Sequence, residues 1–245
     1  MTTYYSQHGE DVILDALFPE DTLGIFMEIG CIDGRRFSNT LRLEERGWKG
    51  ICVEAHPDYI ELIRRNRPGS VVVHAAVGEK DQVEVTFYAN SRGSLSTLDK
   101  SLEELYRNNY GRYFTGFEIR HVPMRSISSI LQEYNIPSPD VISIDIEGTE
   151  LQAVQGIDFN RYRPRVIVVE ADARENVLAL DDLLLPEGYV RGFSLSCNRF
   201  YFSDPQMYAD LLGREYECRL TYTEHPLDDT GDTTVTRTCL IRTDE

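Results

Sequence analysis

Short apolar runs rich in β-branched residues alternate along the chain with longer stretches of helical period, the pattern of an α/β fold. Strands are expected at Ile25–Ile29, Gly50–Glu54, Ser70–Ala75, Val83–Tyr88, Val141–Asp145 and Val166–Val169, each bounded by glycine, proline or charge. Helices are expected between them, at Gln7–Leu17, Ser38–Arg46, Asp58–Asn66, Ser126–Tyr134, Glu147–Gln155 and Asn176–Leu184. The runs VISID and RVIVVE have few polar positions, so both their faces should be covered, as in a doubly wound, mostly parallel, Rossmann-like sheet. Residues Gly192 to Ser203 alternate enough for a late strand pair. Residues from about 90 to 120 are too many for an ordinary connection and read as an insertion at the sheet rim. One domain is expected over residues 1–205. Residues 206–245 would form an extension packed on it, a helix and then an edge strand near Val235–Ile241.

In open parallel sheets ligands collect beyond the carboxyl ends of the strands, and here those ends are acidic. Glu28-Ile29-Gly30-Cys31-Ile32-Asp33-Gly34 ends the first strand and Glu54-Ala55-His56 the second. Asp145-Ile146-Glu147-Gly148 follows VISI, and Glu170-Ala171-Asp172 follows RVIVV. Carboxylates gathered on one rim repel unless a cation or a donor-rich ligand lies between them. Gly30 and Gly34 permit a tight turn with close backbone approach. Glu54 stands about 20 residues further on, where an acid can accept from both hydroxyls of a ribose. A nucleoside site is one reading; a plain βα turn with Glu54 capping the next helix is the other.

Charge and cysteine content narrow the partners. With 25 Lys and Arg against 41 Asp and Glu, the net charge is −16, which counts against a protein that works by neutralising nucleic-acid phosphates. No apolar run approaches the ~20 residues of a membrane span, and the opening MTTYYSQHGED lacks a signal-peptide layout, so a cytoplasmic location is expected. The cysteines (Cys31, Cys52, Cys197, Cys218, Cys239) are odd in number and scattered, without a CxxC pair. They are expected as reduced, mostly buried thiols.

Five blocks in order carry a family resemblance. These are Tyr5-Ser6-Gln7-His8-Gly9-Glu10-Asp11, Phe26-Met27-Glu28-Ile29-Gly30-Cys31-Ile32-Asp33-Gly34 with Ser38-Asn39-Thr40, Gly50-Ile51-Cys52-Val53-Glu54-Ala55-His56-Pro57, Ala75-Ala76-Val77-Gly78, and Ile144-Asp145-Ile146-Glu147-Gly148-Thr149-Glu150. Over roughly residues 4 to 170 the chain resembles the FkbM family of S-adenosylmethionine-dependent O-methyltransferases. The resemblance implies a class I methyltransferase type of sheet. Glu28, Gly30 and Asp33 would meet the amino-acid end of S-adenosylmethionine, and Glu54, with Ala55 beside it, the ribose. Tyr5, Ser6, Gln7, Ser38 and Asn39 would sit at the same rim, near the methionyl carboxylate and amine; Ser6 and Ser38 read equally well as helix caps. Ala76 would let the adenine lie flat, or would serve tight packing.

Methyl transfer to a hydroxyl needs in-line geometry and a deprotonated oxygen. Asp145, Glu147 and Glu170 are the candidate catalytic residues. Asp145, Glu170 and Asn198 could hold Mg or Mn, with Glu147 and Asp172 completing the shell. Asp145 or Glu147 could instead act directly as general base, or these acids could cap the following helix. His8 and His56 stand in reserve as bases or ligands, His74 and His225 read as structural, and His121 has no assigned role. In the insertion, Gly93 to Leu98, the aromatics Tyr106, Tyr110, Tyr113, Phe114 and Phe117, and Asn90, Arg92, Asn108 and Asn109 suit a carbohydrate or form a satellite core. The expected activity is O-methylation of a sugar hydroxyl on a glycan, glycolipid or natural-product glycoside. A nicotinamide oxidoreductase would share the turn and Glu54 but would need closer-spaced glycines and a proton-transfer pair. A non-catalytic nucleotide-binding module would have no use for the acidic strand ends. The apolar pieces at Tyr208–Leu212 and Cys239–Ile241 leave room for a homo-oligomer.

Overall fold

Alternation along the central strands divides their side chains between two cores, one on each face of a sheet. In the computed structural model, which describes residues 2–111, 113–224 and 233–243, Met27, Ile29, Ile51, Val53, Ile142, Ile144, Ile167 and Val169 pack on one side with Ile127, Ile130, Leu131, Ala153 and Val154. Phe26, Cys52, Val141, Val166 and Val168 pack on the other with Val12, Ile13, Leu14, Leu43 and Ile63. This period of two, with both faces buried, is what parallel strands under two helical layers require.

The strands are β1 (Ile25–Ile29), β2 (Lys49–Glu54), β3 (Ser70–His74), β4 (Ala76–Val77), β5 (Gln82–Asn90), β6 (Phe117–Arg125), β7 (Val141–Ile144), β8 (Val166–Glu170), β9 (Val190–Leu195), β10 (Asn198–Phe202), β11 (Glu215–Glu224) and β12 (Thr233–Arg242). Seven form the main sheet in the order β3-β2-β1-β7-β8-β10-β9. The pairings from β3 through β8 are parallel, and β10 runs antiparallel to both β8 and β9. The chain order reverses between β1 and β7, so the carboxyl ends of β2, β1, β7 and β8 stand side by side at the switch point. The α/β, Rossmann-like fold is thus as expected.

Two strands differ from the sequence reading. The strand around Val83–Tyr88 is not in the main sheet; β5 pairs antiparallel with β6, and β4 joins β6 in a separate three-stranded sheet. Residues 82–84 are exposed, which a central strand does not allow. After the expected helix (Pro205–Ala209) come two antiparallel strands, β11 and β12. Charged positions in EYECRLTYTE obscure the first of them, yet Leu220 and Ile241 are buried in the second core. Cys31 and Cys52 are buried free thiols; the side chains of Cys218 and Cys239, and His225, lie outside the described residues.

The loop after β1 also differs, because the next helix begins at Leu41 rather than Ser38. A buried ion pair holds the intervening chain. Arg67, fully buried, donates from Nη1 to Glu28 Oε2 at 2.7 Å and from Nε to Glu44 Oε2 at 2.7 Å. Its Nη2 reaches Thr40 Oγ1 at 2.8 Å. The Glu28 carboxylate further accepts from Ser38 Oγ (2.9 Å), Asn39 N (2.8 Å) and Thr40 Oγ1 (2.9 Å). Every strong acceptor direction is taken, which offsets the cost of removing both charges from water.

Removing one partner strands the other. Arg67→Leu is expected to cost about 3–5 kcal/mol of unfolding free energy, read from urea midpoints at constant slope. A loss below about 1 kcal/mol, the range of surface pairs, would show that the network does not hold the loop.

Candidate active site

At the switch point the backbone itself must give way. Gly30 has φ +86°, and a Cβ there would overlap the main-chain oxygen of Asp145, so only glycine lets the ends of β1 and β7 close together. Gly30 N donates to Val53 O at 3.0 Å and Asp145 N to Ile29 O at 3.0 Å, fixing three strand ends around one point. Above them lies a cavity of about 1050 Å³, large enough for two small ligands.

Of the residues expected at a cofactor, Gln7, Glu28, Gly30, Ser38, Asn39, Glu54, Ala55 and Ala76 line this cavity. Glu54 is buried, with Oε2 accepting from Ile32 N (2.8 Å) and Oε1 from His56 N (2.8 Å). Burial pushes its carboxyl up to about 7. It therefore braces the turn of β1 while remaining in the wall. Asn39 Nδ2 donates to Ser143 Oγ at 3.0 Å, tying the loop to β7.

Other expected site residues stand elsewhere. Tyr5, Ser6 and Asp33 are not in the cavity wall. Tyr5 OH donates to Glu45 Oε1 at 2.5 Å. Ser6 Oγ donates to Asp11 Oδ1 (2.5 Å) and accepts from Gly9 N (3.0 Å), which shapes the entry to the helix that starts at Glu10 rather than Gln7. Asp33 Oδ1 accepts from Arg35 N (2.8 Å) and Arg36 N (2.7 Å). Glu28 touches the cavity but its carboxylate belongs to the Arg67 network. Ser38 Oγ accepts from Thr40 N (3.2 Å) and Leu41 N (3.0 Å), bracing the entry to the helix while Ser38 lines the cavity. Among the described residues, Glu28, Cys31 and Cys52 form a tight group of ligand-type atoms, but Arg67 already occupies that carboxylate.

The other end of the cavity is acidic. Asp145 and Glu170 stand at the ends of adjacent parallel strands, and both line the wall together with Glu147 and Asp172. The charge of Asp145, with burial, pushes Glu170 up to about 11. Burial and the charge of Glu147 in turn raise Asp145 well above the carboxylate range. Two carboxyls so close cannot both ionise without a compensating cation. Asn198 pairs with Glu170 across β10 and β8 and is not among the residues that line the cavity. Its Nδ2 donates to the buried Glu10 at 2.8 Å, and its Oδ1 is buried without a hydrogen-bond partner. Among the described residues no ion pair reaches Glu10, Asp145, Glu147, Glu150, Glu170 or Asp172.

Glu147 is presented by a strained turn. Its φ is +61°, unusual for a side chain of this size. Leu95 N donates to Oε1 (3.2 Å), Tyr106 OH to Oε2 (2.8 Å), and Thr97 Oγ1 to the main-chain oxygen (2.7 Å). All three donors come from the insertion. Burial raises Glu147 overall, and the Tyr106 and Leu95 donors partly counter it. Glu150, the first residue of the following helix, braces the turn before it by accepting from Ile146 N and Gly148 N at 3.0 Å.

The insertion divides its expected roles. Tyr110, Tyr113, Arg92 and Ser94 to Ser96 line the cavity, whereas Tyr106 and Phe114 form a satellite core with Phe117 packed on it. Asn90 cross-ties the segment through Ser94 O (2.8 Å), Tyr113 O (3.1 Å) and Thr115 Oγ1 (2.9 Å); Asn108 and Asn109 are exposed and outside the wall. His8 lines the cavity. His56 does not: its Nδ1 accepts from Asp58 N at 3.3 Å, and burial lowers its pKa. The sequence reading missed Arg36, Ser143, Phe87 and the Tyr106 contact, none of which carries a local motif.

A family model described as the methyltransferase FkbM domain matches residues 28–191. Among curated proteins none matches the sequence. Among solved structures, a precorrin-6y C5,15-methyltransferase from Geobacter metallireducens GS-15 is 12% identical with a TM-score of 0.41, covering 94% of this chain and 85% of that one. A TehB-like SAM-dependent methyltransferase from Corynebacterium glutamicum is 12% identical with a TM-score of 0.43, over 80% and 88% of the two chains. Among the described residues no helix is long and apolar enough to cross a membrane.

The buried acids make stability depend on pH. Glu54, Asp145, Glu147 and Glu170 are all raised in the folded chain, so it holds protons that the unfolded chain releases near about pH 4.3. Their contribution therefore falls as pH rises from about 4 upward. The melting temperature of the unliganded protein is expected to drop between about pH 5.5 and 8, and Glu170→Gln should raise it at the upper end by a few degrees. A wild-type profile flat over that range, or a variant less stable at pH 8, would contradict this charge assignment.

Proposed function

The chain belongs to the FkbM-domain methyltransferases, and from that premise we propose that it moves a methyl group from S-adenosylmethionine to a hydroxyl of a sugar on a glycan, glycolipid or natural-product glycoside, assisted by a divalent cation. One observation supports this above the others: a single cavity joins the glycine turn and Glu54 to the acids Asp145, Glu147 and Glu170. Family membership favours methyl transfer over nicotinamide chemistry or passive nucleotide binding.

In this assignment Glu54 accepts hydrogen bonds from the ribose hydroxyls, and Ala76 and Phe87, both in the wall, flank the adenine. Gly30 lets the amino-acid end pass close to the main chain. Glu147 takes the proton of the acceptor hydroxyl, its raised pKa making it the stronger base. The oxygen then attacks the methyl carbon in line; the carbon–sulfur bond breaks, its electron pair stays on sulfur, and S-adenosylhomocysteine leaves. Tyr110, Tyr113 and the serines of the insertion offer the aromatic faces and hydroxyls that a sugar acceptor requires.

Asp145, Glu170 and the Oδ1 of Asn198 are the residues that would hold the cation. They are hard oxygen donors suited to Mg²⁺ or Mn²⁺; Asn198 stands opposite Glu170 in the β10–β8 register and its Oδ1 is buried without a hydrogen-bond partner, which fits such a role. A cation there supplies charge that lowers the pKa of a bound hydroxyl. Direct base chemistry by Glu147 alone is the second reading, favoured by the donors that aim its carboxylate.

Calorimetry should detect S-adenosylhomocysteine binding to the purified chain. Glu54→Gln is expected to weaken it about tenfold or more, and affinity should fall as pH drops through about 7, where Glu54 takes up a proton. A chain that binds neither the donor nor its product sinks the cofactor assignment. For the cation, Mn²⁺ titration followed by electron paramagnetic resonance should show one site that Glu170→Gln removes; turnover indifferent to EDTA would leave Glu147 as the sole base.

A further inference from the structure

Arg36 is a buried cation without a counter-ion. It lines the cavity with only 9% of its surface exposed. Its main-chain N–H donates to Asp33, its Nη2 donates to Arg92 O at 2.8 Å, and its Nε is buried with no hydrogen-bond partner. The other buried arginines are matched: Arg67 meets Glu28 and Glu44, and Arg46 meets Asp15 at 2.8 Å. Among the described residues no carboxylate pairs with the Arg36 guanidinium. An uncompensated buried charge is costly in an empty site and useful when a ligand supplies its opposite.

The position says which opposite charge. Arg36 comes from the loop that begins at Gly30, where the wall acids Glu28 and Glu54 are taken up by Arg67 and by main-chain N–H groups, while Asp145, Glu147 and Glu170 gather at the β7–β8 strand ends. In the proposed cofactor the adenosine is neutral, the sulfonium and ammonium are positive, and the carboxylate is the sole anion. The acids repel that carboxylate, and the hydroxyls of Ser6 and Ser38 are committed within the protein. We propose that the Arg36 guanidinium is the counter-ion of the cofactor's methionyl carboxylate. This rests on the methyl-donor assignment and adds a residue to it.

Calorimetry with S-adenosylmethionine and decarboxylated S-adenosylmethionine, on wild type, Arg36→Met and Arg36→Lys, tests the pairing. Wild type should bind the decarboxylated compound about tenfold or more weakly, as expected for losing a charge-assisted bond. Arg36→Met should bind both compounds alike and Arg36→Lys should recover part of the difference. The unliganded melting temperature of Arg36→Met should be unchanged or higher, which a merely structural arginine would not give. Equal wild-type affinity for the two compounds overturns the proposal even if no variant folds. So does a difference that persists in Arg36→Met, which would assign Arg36 to an anionic group elsewhere, such as one on the acceptor. A wild type that binds neither compound refutes the methyl-donor assignment itself.

Discussion

The pairing of Glu28 with Arg67 is the constraint on which the site depends. Glu28 stands one residue before the end of β1, and its carboxylate gathers Ser38, Asn39 and Thr40 as well as the guanidinium. The chain from Gly30 to Thr40 is thereby pinned to the sheet instead of winding into a helix. That pinned loop keeps Gly30 against Asp145, brings Asn39 to Ser143 and turns Arg36 into the wall. An apolar pair of similar volume could match the ion pair in stability; it could not hold three consecutive donors in register.

Against this ordered anchor stands a rim that is electrostatically unfinished. Glu170 and Asp145 press on each other, Glu147 adds its charge, and Glu10 lies buried close behind. Burial and mutual charge raise Asp145, Glu147 and Glu170, a cost that the two surrounding cores can absorb. Sites that bind charged ligands commonly give up stability in this way. Arg36 and the acid cluster line the same cavity, and a ligand bearing both signs of charge would relieve both.

The main sheet was legible in the sequence because VISI and VIVV have no second interpretation once helices flank them, and the acids at their ends follow from strand direction alone. The loop after β1 was not, because what decides it is Arg67, 39 residues beyond Glu28. The same holds for Tyr106, 41 residues before Glu147. Ser6 and Ser38 illustrate a different limit: a small hydroxyl before a helix has the same local signature whether it caps or binds, and only the folded geometry of its neighbours shows which contacts it makes. β5 and β6 escaped the main sheet because strand propensity does not specify which sheet a strand joins.

Glu147 sits in a left-handed turn that Leu95, Thr97 and Tyr106 hold in place. The segment that would wall the acceptor is therefore also mechanically joined to the turn that carries the proposed base. Under the proposed assignment, selectivity and reactivity would not drift independently in such a molecule: exchanging this segment for one that suits another acceptor would also require the bracing of the turn to be rebuilt.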